Sequence, residues 1–208
     1  CLFTSLFLLL YSVIKKEKNC LYVCDYGYLS MSSKQSISKR VGIFHAFYKE
    51  KIDPFQVLRF MDWGYTNGNT NNAWIDRSSM SRFTYAGYQG VPYELMIQLA
   101  NITQKDAWIC IPHEADEDYI TQMATMFRDN LNSNLNIYIE YSNEVWNWIF
   151  PQAHYNEDNK PLNLNYGRAM AQKAGRVFEI WHTVFDDDRC RVKRVLGLQG
   201  THNWLNEQ

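Results

Sequence analysis

The sequence predicts an α/β fold: a parallel β-sheet with covering helices. Three observations predict it. From residue 54 onward, short apolar runs of strand length alternate with longer stretches of helical periodicity. The strand-like runs are apolar almost throughout, as parallel strands buried on both faces are. The segments between them are rich in Gly, Asn, Asp and Pro, the residues of turns.

Residues 56–61, Gln-Val-Leu-Arg-Phe-Met, form a short β-rich run that ends in a polar loop over residues 62–72. Pro92 suits the first turn of a helix whose apolar face carries Leu95, Met96, Leu99 and Ala100. Residues 107–111, Ala-Trp-Ile-Cys-Ile, read as a strand stopped by Pro112. Ile120, Met123, Ala124, Phe127 and Leu131 then recur at helical spacing. The acidic start of that helix, Asp116, Glu117 and Asp118, complements the positive end of its dipole. Residues 135–141 are strand, 168–185 a long helix, and 192–198 a fourth strand.

The formal charge is −1, so no overall basic field draws the chain to nucleic acid or an anionic membrane, and neither is expected as a partner. That balance hides a split. Residues 1–51 carry a net +5 and the remainder a net −6. A boundary near residues 52–54 therefore separates an irregular N-terminal segment, 1–52, from an α/β unit, 53–208. Residues 1–14 are apolar, but no basic segment precedes them, and fourteen residues are too few to span a bilayer comfortably. A clipped signal or anchor, a buried element and translated non-coding sequence all remain open. Five cysteines, an odd number with three in that first segment, make no disulfide framework, and Cys110 reads as core. Seven Trp and fourteen Tyr exceed what a core of this size needs, and such an excess often lines sites for ring-shaped ligands.

Both a doubly wound sheet and a (β/α)₈ barrel fit this order. No Gly-x-Gly-x-x-Gly follows a strand, which weakens the dinucleotide-binding version. In either fold, ligands gather at the C-terminal ends of the strands. Those ends present Arg59, Asp62 and Trp63; Pro112, His113 and Glu114; Ser142, Asn143, Glu144 and Trp146; and Thr201, His202, Asn203 and Trp204. No metal and no cofactor are expected. A His-Glu-x-x-His site starting at His113 needs a His at position 117, where Glu117 stands.

Residues 135–147, Leu-Asn-Ile-Tyr-Ile-Glu-Tyr-Ser-Asn-Glu-Val-Trp-Asn, resemble the fourth strand of clan-A glycoside hydrolases, the retaining (β/α)₈ enzymes that include many cellulases and mannanases. That strand ends in Asn-Glu, and the Glu is the general acid/base. Arg59 matches the Arg of the second strand, and His113 the His at the third-strand end of cellulase-like members. The strings Leu-Arg-Phe-Met-Asp-Trp, Trp-Ile-Asp-Arg, Gly-Val-Pro-Tyr-Glu and Ile-Pro-His are similar to those of bacterial secreted proteins of the superfamily. The resemblance covers about residues 53–204.

It implies the following. Glu144 is the acid/base, Asn143 bonds the sugar 2-hydroxyl, and Arg59 holds a nucleophile ionised. His113 donates to sugar or to a neighbouring catalytic group. Trp63, Trp146 and Trp204 stack on pyranose rings, and Asn67 and His202 join the substrate site. The partner is a carbohydrate, and the setting is extracellular.

Retaining hydrolysis also needs a second carboxylate roughly 5–5.5 Å from the first. The family places it on a seventh strand, and this sequence reaches about its fifth. A closed barrel takes about 250 residues. The chain is therefore expected to be an incomplete barrel, about strands two to five, that lacks its C-terminal half and does not turn over substrate. Two other functions stay open: a non-catalytic carbohydrate-binding barrel, and an unrelated α/β protein, for which no Gly-x-Ser-x-Gly elbow is found. Plainer roles stay open too. Glu144 can serve as a helix-start acid, Arg59 as a structural partner of Asp62 or Asp76, and His113 as a loop histidine bonded to backbone.

Overall fold

The structure is a computed structural model that describes Phe44 and residues 46–199. Trp204 and His202 lie outside the described residues, as does almost all of the N-terminal segment with Cys1, Cys20 and Cys24.

Four parallel strands form one sheet in the order β1-β2-β3-β4: β1 Val57–Arg59, β2 Asp106–Ile111, β3 Ile137–Tyr141 and β4 Val192–Val195. Helix α1 (Ala46–Ile52) precedes them. Helix α2 (Tyr93–Thr103) connects β1 to β2, and α3 (Glu117–Asn130) connects β2 to β3. Helices α4 (Pro151–Asp158) and α5 (Tyr166–Phe185) connect β3 to β4. The α/β class is therefore as the sequence predicts.

The helices begin where local chemistry lets them. Pro92 sits at the N-cap of α2, just before the turn it was expected to occupy. The Asp116 carboxylate caps α3 by accepting from the Tyr119 N–H at 2.7 Å. Asn165 caps α5 in the same way, accepting from the Arg168 N–H at 2.9 Å, so that helix starts two residues earlier than its apolar pattern suggests. The strands are shorter than the apolar runs. β1 keeps three residues of its six and β4 four of its seven.

Every crossover steps one strand in the same direction. Right-handed crossovers of that kind put all the connecting helices on one face of the sheet. Leu58, Ala107, Ile109, Ile111, Ile137, Ile139 and Val192 point to that face and are buried there. The α3 and α5 stripes close the layer, with Phe127 against Trp181 at 5.9 Å. Gly90, at φ +68°, lets the chain pass against the Trp63 carbonyl, which a Cβ would overlap; Val91 N–H donates there at 2.7 Å.

The opposite face is different. Arg59, Trp108, Tyr138 and Lys193 are in register across the four strands, and Cys110, Glu140 and Val195 form the next level. The guanidinium of Arg59 lies 4.9 Å from the centre of the Trp108 ring, which stacks on Tyr138 at 6.1 Å. The sheet thus has an apolar face under helices and a charged, aromatic face. Runs apolar almost throughout predict burial on both sides. The polar exceptions in them, Arg59 and Glu140, mark the second face. Among the described residues, no helix is long and apolar enough to cross a membrane.

Candidate active site

At the C-terminal end of β3 the backbone leaves ordinary strand geometry twice. Ser142 has φ +55° and Glu144 φ +41°, the left-handed region that residues with a Cβ seldom adopt. Each such residue costs on the order of 1–3 kcal/mol, and strain of this kind clusters at functional sites. The geometry has a local consequence. The two reversals turn Asn143 inward, where it is 4% exposed, and leave Glu144 half-buried beyond it.

Asn143 is then held on three sides. Its Oδ1 accepts from Arg59 Nη2 at 2.8 Å, its Nδ2 donates to Asn67 Oδ1 at 3.1 Å, and its carbonyl accepts from Gln152 Nε2 at 2.8 Å. Gln152 Nε2 also donates to Asn67 Oδ1 at 2.7 Å. The loop after β1, the end of β3 and the start of α4 therefore meet at one amide. Since Arg59 occupies the oxygen of that amide, the Asn143 group with a hydrogen to spare is Nδ2. It presents a donor, which suits a ligand hydroxyl oxygen.

The same Arg59 nitrogen donates to Glu140 Oε2 at 2.9 Å, a nearly buried ion pair. Glu140 Oε2 also accepts from Trp108 Nε1 at 3.0 Å and from the Cys110 thiol at 3.6 Å. The Cys110 thiol is pushed well above its usual pKa, first by burial and then by the Glu140 charge. Gly197 passes so close that a Cβ there would lie 2.9 Å from Glu140 Oε1.

Glu144 Oε2 accepts from Asn147 Nδ2 at 2.9 Å. Both Glu144 and Glu140 line a cavity of about 100 Å³ between the ends of β3 and β4 and the first half of α5. Trp146, Tyr166 and Met170 contribute to its wall. No helix begins at Glu144, because α4 starts at Pro151; the role of helix-start acid falls away.

Of the predicted site residues, the structure brings together Arg59, Asn67 and Asn143, with Glu144 and Trp146 on the adjoining cavity. Two others lie elsewhere. Trp63 is 7% exposed and packs on Phe60 at 5.3 Å, so it offers no open face to a sugar; the residue after it, Gly64, belongs to the tight turn that tucks the indole into the core. His113 stands in the turn that follows β2 and is turned toward α4. Its ring stands edge-on to Tyr155 of α4 at 5.1 Å, and its Nε2 is 3.6 Å from Glu114 Oε1. Tyr141 Oη donates to the His113 carbonyl at 3.2 Å, so the backbone bond involves its oxygen and not the ring.

His113 carries a pH prediction. Burial, with the Lys173 charge as a smaller cause, lowers its pKa from 6.5 to about 4. As pH falls below 6.5 the unfolded chain takes up a proton that the folded chain refuses, so stability falls. The loss ends near pH 4, below which both states are protonated, and totals about 3 kcal/mol. His113→Gln is expected to lack this component. Denaturant midpoints compared between wild type and variant from pH 7 down to about 4 measure it; parallel curves would refute it.

Glu140, Trp108, Gln152 and Asn147 were not picked out from the sequence. Glu140 had a signal, since a carboxylate inside an apolar strand needs a partner as much as Arg59 does. Gln152 had none. Among the described residues no group of three or more His, Cys, Asp or Glu converges as a metal site would require.

No protein-family model matches the chain, and neither does any curated protein or solved structure.

Proposed function

We propose that the chain is part of a retaining glycoside hydrolase of the clan-A (β/α)₈ type, acting outside the cell on a β-linked polysaccharide or oligosaccharide. The observation that carries this reading is the 2.8 Å bond from Arg59 to Asn143 across the strand ends, with Glu144 next in the chain and facing a cavity. Supporting it, the strand order runs without reversal, the apolar stripes of α2, α3 and α5 pack with one face of the sheet, and the other face carries charged and aromatic side chains, as the inner face of a partial barrel would.

In this reading Glu144 protonates the leaving oxygen and later deprotonates water. Asn143 Nδ2 bonds the sugar 2-hydroxyl oxygen, a contact that strengthens as positive charge develops on the ring. Trp146 offers a stacking face beside Glu144. The nucleophile comes from strands beyond the four described. Arg59, expected to hold that nucleophile, holds Glu140 here. A non-catalytic carbohydrate-binding barrel is the second reading, favoured by one observation: Glu144 is tied to Asn147 as an ordinary turn residue would be.

Calorimetric titration with cellohexaose and with mannohexaose tests both. Wild type is expected to bind at least one of them, and Asn143→Ala to weaken that binding about ten-fold, the scale of one lost hydrogen bond to a ligand. If Glu144 meets the glycosidic oxygen, Glu144→Gln, which exchanges the carboxyl for an amide of the same shape, is expected to change that affinity several-fold. Binding that ignores Glu144→Gln favours the non-catalytic barrel. Absence of binding to either hexasaccharide refutes the carbohydrate reading.

A further inference from the structure

We infer that Glu140 is a positioning residue for Asn143, acting through the Arg59 guanidinium. The inference rests on the reading above, in which Asn143 meets the ligand, and it adds a residue that the reading does not otherwise use.

One nitrogen makes the connection. Arg59 Nη2 lies 2.9 Å from Glu140 Oε2 and 2.8 Å from Asn143 Oδ1, bridging a carboxylate and an amide oxygen. An amide side chain has two orientations of nearly equal shape, one presenting oxygen and the other the NH₂ group. A cation on one end decides between them. With Arg59 on Oδ1, Asn143 must direct Nδ2 toward Asn67 and the ligand side.

Arg59 reaches this place on a long flexible side chain from a three-residue strand. Its guanidinium is fixed by the Trp108 ring beneath it and by the negative charge of Glu140. Glu140 is itself fixed. Trp108 Nε1 donates to the same carboxylate oxygen, and Gly197 closes over the other one. Glu140, Arg59 and Asn143 thus form a relay of contacts from the middle of β3 to its strained end, in which the charge at residue 140 sets the amide at residue 143.

The test uses the full chain labelled with ¹⁵N. The side-chain amide pair of Asn143 is assigned by its disappearance in Asn143→Asp, then followed in Glu140→Gln, which keeps the shape of residue 140 and removes its charge. The amide pair is expected to leave its wild-type position and exchange with water faster, and affinity for the bound hexasaccharide to fall about ten-fold. A purely structural role would lower the melting midpoint and leave the Asn143 amide where it was; that result overturns the inference. Should Glu140→Gln fold too poorly to measure, Glu140→Asp draws the charge back by one methylene, and an undisturbed Asn143 amide in that variant overturns it as well. If the amide moves but wild type binds no hexasaccharide, the positioning stands and the carbohydrate reading fails.

Discussion

Replacing Arg59 by methionine is expected to destabilise the protein by about 3–5 kcal/mol, the usual cost of leaving a buried charge without its partner. For a unit of this size that is a fall in melting temperature on the order of 10 °C. The arginine and glutamate side chains are 10% and 7% exposed, so water screens the pair little. Without the guanidinium, the Glu140 carboxylate keeps, among the described residues, an indole N–H and a thiol. Asn143 loses the donor on its Oδ1 at the same time. The penalty belongs to the stranded charge more than to the lost bond. The double substitution Arg59→Met with Glu140→Leu should therefore recover most of the stability, because removing both charges removes the desolvation problem. Chemical denaturation of the three variants decides it. A single-variant loss below about 1 kcal/mol, the scale of an exposed ion pair, would mean that Glu140 is solvated.

Trp181→Ala is expected to cost about 3–5 kcal/mol, the range for emptying a large aromatic site in a core. Trp181 is fully buried on α5, between Phe127 of α3 at 5.9 Å and Phe185 at 5.8 Å. It is the place where the two longest helices of the covering layer meet, so the hole cannot close without moving one of them. Trp181→Phe should be far milder, within about 1.5 kcal/mol of wild type. The indole Nε1 is buried with no hydrogen-bond partner among the described residues, and losing it relieves a desolvation penalty while the volume shrinks. Melting both variants checks the pair of values. Equal losses would show that the cavity is not what matters there.

The elements legible in the sequence were those announced by a long, one-sided apolar pattern. Helices α3 and α5 have wide stripes and capping residues, and their starts lie within two residues of expectation. Strands β2 and β3 are dominated by Ala, Ile, Trp and Tyr, with Glu140 the charged exception inside β3, and such runs pair and bury. Helix α4 was invisible. Its buried residues are Gln152, Ala153 and Asn156, polar or small; Gln152 bonds to Asn67 and Asn143, and Asn156 to Tyr141 and Lys173. A helix held by hydrogen bonds has no apolar period to read.

The candidate site divides in the same way. Arg59, Asn143 and Glu144 stood out by residue type at the ends of apolar strands, and Arg59 and Asn143 prove to touch although 84 residues separate them. His113 stood out for the same reason and faces α4 instead, since it lies in the turn after β2, where the path of the loop and not strand alternation aims the side chain.

The residues alone determined the class of this protein, the helix–strand order, and a concentration of Arg, Asn and Glu at one edge of the sheet. Those follow from local propensity and from the need to bury apolar stripes. Tertiary structure decided which of those polar groups share a neighbourhood: Glu140 as the counter-charge of Arg59, Asn67 and Gln152 around Asn143, and Trp63 in the core. Such pairings join residues many positions apart. They form only after the sheet has set its register, when each buried charge must accept whichever partner the fold places within about 3 Å.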